Sequence, residues 1–374
     1  MSKTHYFFKN PWIKRCAALF DALLPKASSN PVHKVRRLLV SNIAHLGDVV
    51  LSTSVLPVLK EAFPEAEIGF LSSSWTKSFL IDHPLLHHLH TVDHWKLNRS
   101  PLSWKEKIRI YRETKREALC QIRERCYDVA IDLYCYFPNS IPLLWKAGIP
   151  VRIGYTSGCF GPLLTHPVHW TEKRHMIYSY LSLLSTVSID PKILSKARPF
   201  FGKERAPQFA LPQRYCIFHM GAGCPKKEWK IEQWKELASL AVASGWEIIL
   251  TGKGKREWEN IEPICREVPH TFNSANCLDS AELLFVCRLA DLLISVDTAL
   301  VHIADALSVK SVVLSEQSSN ALWKPLFTPS IGLDFKDLSA RTVFEAALSL
   351  LNISEAAGAH NGGNSDSGSE SGIE

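Results

Sequence analysis

A chain of 374 residues, 46% hydrophobic and 21% charged, can bury a full core and forms about two domains of ordinary size. Lysine and arginine outnumber aspartate and glutamate 43 to 37, an excess that suits an anionic ligand or membrane surface and is too mild for a dedicated nucleic-acid binder. Ten scattered cysteines without a C-x-x-C pair or zinc-ligand spacing imply neither a disulfide framework nor a metal site; reduced thiols in a cytoplasmic protein account for them.

In chain order, residues 1–33 read as a basic amphipathic extension. Asn10 followed by Pro11 predicts a helix start, an N-cap with proline at the first helical position. Ile13, Cys16, Ala17, Phe20, Leu23 and Leu24 then share one face, Lys14 and Arg15 the other, and Phe7, Phe8 and Trp12 add aromatics. Such a helix either lies in a membrane interface or packs on the body of the protein. It is no signal peptide, because Asp21 interrupts the apolar run, and no stretch of the chain is apolar for long enough to span a bilayer.

Residues 34–187 read as a first domain. A strand over 35–41, a turn over 43–47 and a helix opened by Asp48 and running to about 63 make the start of a doubly wound α/β unit. Strands are expected over 68–71 and 90–92. A basic stretch containing Lys96, Arg99, Lys105 and Lys107 leads into a helix with Trp104, Ile108, Tyr111, Ala118, Leu119 and Ile122 on one face. Its charged opposite face reads as solvated surface. Residues 127–133 and 152–155 are further strands.

Residues 188–213 read as a linker and 214–338 as a second domain. The strand 214–219 runs into the loop 220–229, which carries Gly221, Ala222, Gly223, Lys226 and Lys227; a helix with Trp234, Leu237 and Ala241 follows. The strand 246–251 ends at Gly252, Lys253 and Gly254, and a helix spans 279–289. The strand 290–296 then meets Asp297 and Thr298, after which Leu300, Ile303, Ala304 and Leu307 recur at helical spacing. Free N–H groups and the dipole at such a helix start suit a phosphate, although a lone Asp-Thr pair is more often a simple cap. A strand over 312–314, a C-terminal helix within 339–354 and a disordered tail over 355–374 complete the chain. Ligands of such sheets bind beyond the carboxyl ends of the strands, so the loops at Asp48, Gly221, Gly252 and Asp297 are expected to face one cleft between two halves.

Three ordered motifs carry a family resemblance: Leu46, Gly47, Asp48, Val49, Val50 and Leu51; His219, Met220, Gly221 and Ala222 followed by Lys227, Glu228, Trp229 and Trp234; and Ser295, Val296, Asp297 and Thr298 with His302. Over about residues 36–327 the chain resembles the ADP-heptose:lipopolysaccharide heptosyltransferases, glycosyltransferase family 9, inverting enzymes with the GT-B fold of two Rossmann-like domains. The resemblance implies Asp48 as the catalytic base and Lys227 as the cation on the donor phosphate. It also implies a donor site of Gly221, Ala222, Lys227, Gly252, Glu257, Asp297, Thr298, Ala299 and His302, and an acceptor side of Asn42, Gly47, Lys96 and Arg99. ADP-heptose is then a substrate, with no cofactor and no metal. The partners are a lipid-linked oligosaccharide and an anionic membrane surface, not nucleic acid, and the location is cytoplasmic, peripheral to the inner face of the membrane. The family pattern has Arg or Lys at Asn42 and glycine at Ala299; these departures imply a different sugar or acceptor, or a degenerate GT-B protein acting as a nucleotide-binding or membrane-associated scaffold.

Overall fold

Alternating strands and helices assemble into two parallel sheets of identical design. The computed structural model describes residues 6–29, 35–171, 174–187, 189–223, 227–316, 321–336 and 338–359. In the first sheet β1 (Arg37–Ser41), β2 (Glu67–Ser72), β3 (His88–Thr91), β4 (Val129–Asp132), β5 (Val151–Tyr155) and β6 (His166–Val168) lie in the order 3-2-1-4-5-6. In the second, β7 (Tyr215–His219), β8 (Glu247–Thr251), β9 (Thr271–Asn273), β10 (Leu292–Val296), β11 (Ser311–Ser315) and β12 (Ser330–Asp334) repeat that order, with β7 beside β10. Strands such as Leu292–Val296 are buried throughout, as continuous apolar runs must be in a sheet with helices on both faces.

The helices are α1 (Pro11–Leu23), α2 (Leu46–Ser52), α3 (Val55–Ala62), α4 (Lys77–Leu80), α5 (Trp104–Arg125), α6 (Ile141–Lys146), α7 (Met176–Leu184), α8 (Ile231–Ala243), α9 (Lys255–Glu267), α10 (Ser280–Arg288), α11 (Ala299–Ala306) and α12 (Ala340–Ala359). In each sheet the direction of winding reverses between the first and fourth strands, in register Ser41 with Asp132 and His219 with Ser295. A crevice opens at such a reversal. The chain leaving β1 carries Asp48, that leaving β7 carries Lys227, and that leaving β10 carries Asp297 and Thr298.

Several elements differ from the sequence expectation, each for a local reason. The helix expected over 48–63 is two helices, and it begins at Leu46 with His45 as N-cap. Three successive hydroxyls, Ser52, Thr53 and Ser54, donate to the carbonyls of Val49, Val50 and Leu51 at 2.7, 2.8 and 2.6 Å, and side chains that bond back in this way bend or interrupt a helix. Trp104, expected on the packed face of α5, is exposed; Ala118 and Ile122 carry the burial, and a capping box of Ser103 and Glu106 sets the start. The last helix runs to Ala359 rather than ending in a tail at 355; residues 224–226 of the glycine loop and 360–374 lie outside the described residues.

The two halves are tied by more than the chain between them. Trp323, Leu326 and Phe327, between β11 and β12, pack against the core of the first sheet, and Met176 N and His175 Nε2 reach the carbonyls of Leu322 and Lys324 at 3.0 Å. Asp305, buried at the end of α11, holds this segment by accepting from the N–H groups of Leu326, Phe327 and Thr328 at 2.7 to 2.9 Å. Asp305→Ala orphans those donors and should lower unfolding stability by about 3 kcal/mol in urea titration, with Asp305→Asn, which keeps one acceptor oxygen, losing less.

Candidate active site

Asp48 stands at the third position of α2, below the free N–H groups of the first turn. Burial is the largest influence on it and pushes its carboxyl from 3.8 up to about 6, against the His45 backbone and the Arg99 guanidinium, which favour the charged form. Burial therefore outweighs the backbone hydrogen bonds and the guanidinium here. Its surroundings are aromatic: burial, and then the charge of Asp48, hold the Tyr134 and Tyr180 phenols well above their ordinary value. His45 beside it is pushed down to about 4 by burial and by Arg99, so it is neutral.

A second buried carboxylate lies close by on β4. Burial pushes Asp132 up to about 7, but it is fully enclosed and accepts from Ser140 N at 2.9 Å and Tyr134 N at 3.4 Å. It anchors the loop that presents Tyr134. Asp48, still partly open to solvent, is the carboxylate a ligand can reach.

Across the cleft, Lys227 Nζ donates to Asp297 Oδ2 at 2.7 Å, with both side chains partly exposed. Thr298 is the N-cap of α11 and makes no side-chain capping bond, so the helix start offers its N–H groups and positive dipole end beside the lysine. One turn on, His302 is buried; burial pushes it down to about 4, and its Nδ1 has no partner among the described residues. Gly221 and Gly252 lie against Glu257: a Cβ on Gly221 would overlap the Glu257 carboxyl, which accepts from Lys253 N at 2.9 Å. Met220, Gly221, Trp229, Glu257 and Asn260 help to line a cavity of about 150 Å³.

The expected site residues therefore fall into separate roles. Lys227, Asp297, Thr298 and His302 meet at one helix start, and Gly221, Gly252 and Glu257 meet at the adjoining loop. Arg99 reaches over from the first half: a Cβ on Gly223 would overlap its Nη1. Three residues expected on the acceptor side have contacts that define their local roles. Asn42 is fully buried; its Nδ2 donates to Asp48 O at 3.3 Å and its Oδ1 accepts from Ala44 N at 3.2 Å, so the amide shapes the turn in place of a cation facing the cleft. Gly47 lets α2 pack on α11, since a Cβ there would stand 3.1 Å from His302 Cδ2 and 3.7 Å from Ala299 Cα. That close approach also occupies Ala299. Lys96 lies over Phe137, its Nζ 5.1 Å from the ring centroid.

Sequence reasoning missed the bracket that shapes the donor loop. Glu228 Oε1 accepts from Ala222 N and Arg256 Nη2 donates to Ala222 O, both at 3.1 Å, while Arg256 and Glu228 pair with each other. No local pattern announces it, because Arg256 lies on α9. His45 and Tyr134 escaped for the same reason: their roles come from proximity to Asp48 alone.

Two Rossmann-type sheets wound in one order about a cleft are the architecture of the GT-B class. Comparison with known proteins is specific. The family model for glycosyltransferase family 9 (heptosyltransferase) matches residues 116–340, and the chain belongs to that family. It is 23% identical over 292 residues, 75% of this chain and 83% of the other, to lipopolysaccharide heptosyltransferase 3 of Escherichia coli. Among solved structures it is similar to a glycosyl transferase family 9 protein of Veillonella parvula, with TM-score 0.72, 18% identity and coverage of 86% of this chain and 99% of that one. It is also similar to E. coli heptosyltransferase WaaC with ADP, with TM-score 0.68, 16% identity and coverage of 84% and 99%.

Proposed function

We propose that this heptosyltransferase-like enzyme moves a heptose, or a related sugar, from an ADP-sugar to the inner core of lipopolysaccharide with inversion at the anomeric carbon. The acceptor hydroxyl attacks C1, the bond from C1 to the diphosphate oxygen breaks, and that electron pair leaves with ADP. Asp48 takes the hydroxyl proton. Lys227 and the α11 start take up the charge that grows on the departing diphosphate, so the step needs no metal ion. Gly221, Ala222, Gly252 and Glu257 receive the nucleoside, Asp297 and His302 lie toward the sugar, and Arg99 stands on the acceptor side. The enzyme works at the inner face of the cytoplasmic membrane, where a cytoplasmic nucleotide sugar meets a lipid-linked acceptor.

The observation that carries this reading is Asp48: a reachable carboxylate raised to about 6, on the rim opposite Lys227. Incubation with ADP-heptose and a truncated lipopolysaccharide should yield an acceptor one heptose heavier and one ADP per transfer, also in the presence of EDTA. Absence of both products with folded protein would refute it.

The raised carboxyl sets the pH dependence. A base works only when ionised, and Asp48 becomes protonated as pH falls through about 6. The ratio kcat/KM should therefore be flat near pH 8, halve near pH 6 and fall about tenfold per unit below it. Initial rates across that range check this; a flat profile down to pH 5 would point to a base with an ordinary carboxylate pKa.

A further inference from the structure

α1 is attached to the protein through Asp21 and a small apolar contact at Ala17. Its described buried residues are Ala17 and Asp21, and Asp21 accepts from Tyr6 Oη at 3.0 Å, Cys159 Sγ at 3.0 Å and Phe160 N at 2.9 Å. The side chains that would normally seek a core point the other way: Trp12, Leu19 and Leu23 are 70%, 69% and 86% exposed, at the spacing of one outward helix face, with Ile13 and Phe20 on its shoulder. A surface helix is ordinarily arranged in the reverse sense. Of the two expected outcomes, packing on the body or facing a membrane, the helix shows only a small packed part: Ala17 and hydrogen-bonded Asp21 hold it, and its larger apolar side chains are left outward.

Charge indicates what covers that face. Arg15 flanks it, Lys9 and Lys26 stand at its two ends, and the only acidic residue between 6 and 29, Asp21, is buried in the anchor. Two copies meeting through this surface would bring like charges together; an anionic lipid surface neutralises them while taking up the tryptophan and leucines. Ring contacts continue from α1 toward the cleft: Phe20 to Phe160 at 5.7 Å, Phe160 to Phe137 at 6.3 Å, Phe137 to His94 at 6.2 Å and His94 to the exposed Trp95 at 5.6 Å. Lys96 over Phe137 adds a cation to that line, and Arg99 at Asp48 is three residues on.

We infer that the outward face of α1, continued by Trp95 and Lys96, is a docking surface for an anionic lipid bilayer, set so that a lipid-linked acceptor meets the site from the membrane side. The inference deepens the reading above and rests on it only for the acceptor. The docking itself is tested without catalysis. The full chain should sediment with phosphatidylethanolamine–phosphatidylglycerol vesicles, far less with phosphatidylcholine vesicles, and more weakly as salt rises. Combined Trp12→Ser, Leu19→Ser and Leu23→Ser should weaken that binding by about tenfold or more, and Arg15→Glu with Lys26→Glu by a similar factor. Both variants should keep the melting temperature, since the altered side chains are exposed, and should keep transfer to a soluble, deacylated acceptor. Loss of that transfer in the unaltered protein would strike the catalytic reading and leave docking intact. Vesicle binding that survives both variants, or that is equal on the two lipids, overturns the inference. So does a dimer, seen by light scattering, that the serine variant separates, since the occupant is then a second copy.

Discussion

Asp48→Asn is expected to reduce turnover on the order of 100-fold or more while leaving ADP binding and folding intact. The substitution keeps the shape of the side chain and removes its basic oxygen, and the phosphate contacts proposed for Lys227 and the α11 start belong to the other half of the molecule. A purely structural role predicts a different result, and the geometry sharpens the contrast. The N-cap of α2 is His45, so Asp48 is not the residue that caps the helix. Because its folded pKa is raised, ionised Asp48 opposes folding above about pH 6, and a neutral asparagine should hold or raise the melting temperature at pH 8. The acid limb of the pH profile should disappear with the carboxylate. A variant that keeps more than about a third of wild-type turnover would put the base elsewhere or make another step rate-limiting.

Lys227→Ala should weaken ADP binding by roughly 10- to 100-fold, the range expected for losing a hydrogen bond to a charged phosphate, and should lower turnover at least as much. In the wild type, ADP should raise the melting temperature without added metal; the variant should lose most of that shift. Without ligand the two proteins should melt alike, because the Lys227–Asp297 pair is partly exposed and such pairs contribute little to stability. The pair also implies that ADP competes with Asp297 for the lysine. Asp297→Asn should therefore separate two effects, freeing Lys227 for phosphate while removing a carboxylate from the proposed sugar site. An ADP shift that survives Lys227→Ala unchanged would remove the lysine from the donor site.

Much of the architecture was legible because its signals are local. Apolar runs such as Leu292–Val296 ending in Asp297 and Thr298 specify a buried strand and a helix start through neighbouring residues alone, and Asn10 before Pro11 does the same for α1. The break between α2 and α3 was also written locally, in Ser52, Thr53 and Ser54, but as hydroxyls competing for carbonyls, which an apolar periodicity does not register.

By itself, then, the sequence determined most of the strands and which loops carry Asp48, Lys227 and Asp297, since those follow from periodicity and turn residues, while β6, β9, β12, α4, α6, α7 and α9 carried no such signal. Tertiary structure alone decided what each side chain meets. Burial raised Asp48 against the pull of its own helix start, and Arg99 crossed the cleft to Gly223. Asn42 was buried completely against the turn that carries Asp48, and Gly47 was fixed by the approach of His302. The direction in which α1 faces was settled by hydrogen-bonded Asp21, holding Tyr6, Cys159 and Phe160, together with buried Ala17. Desolvation and close packing depend on residues distant in the chain, so no local pattern encodes them.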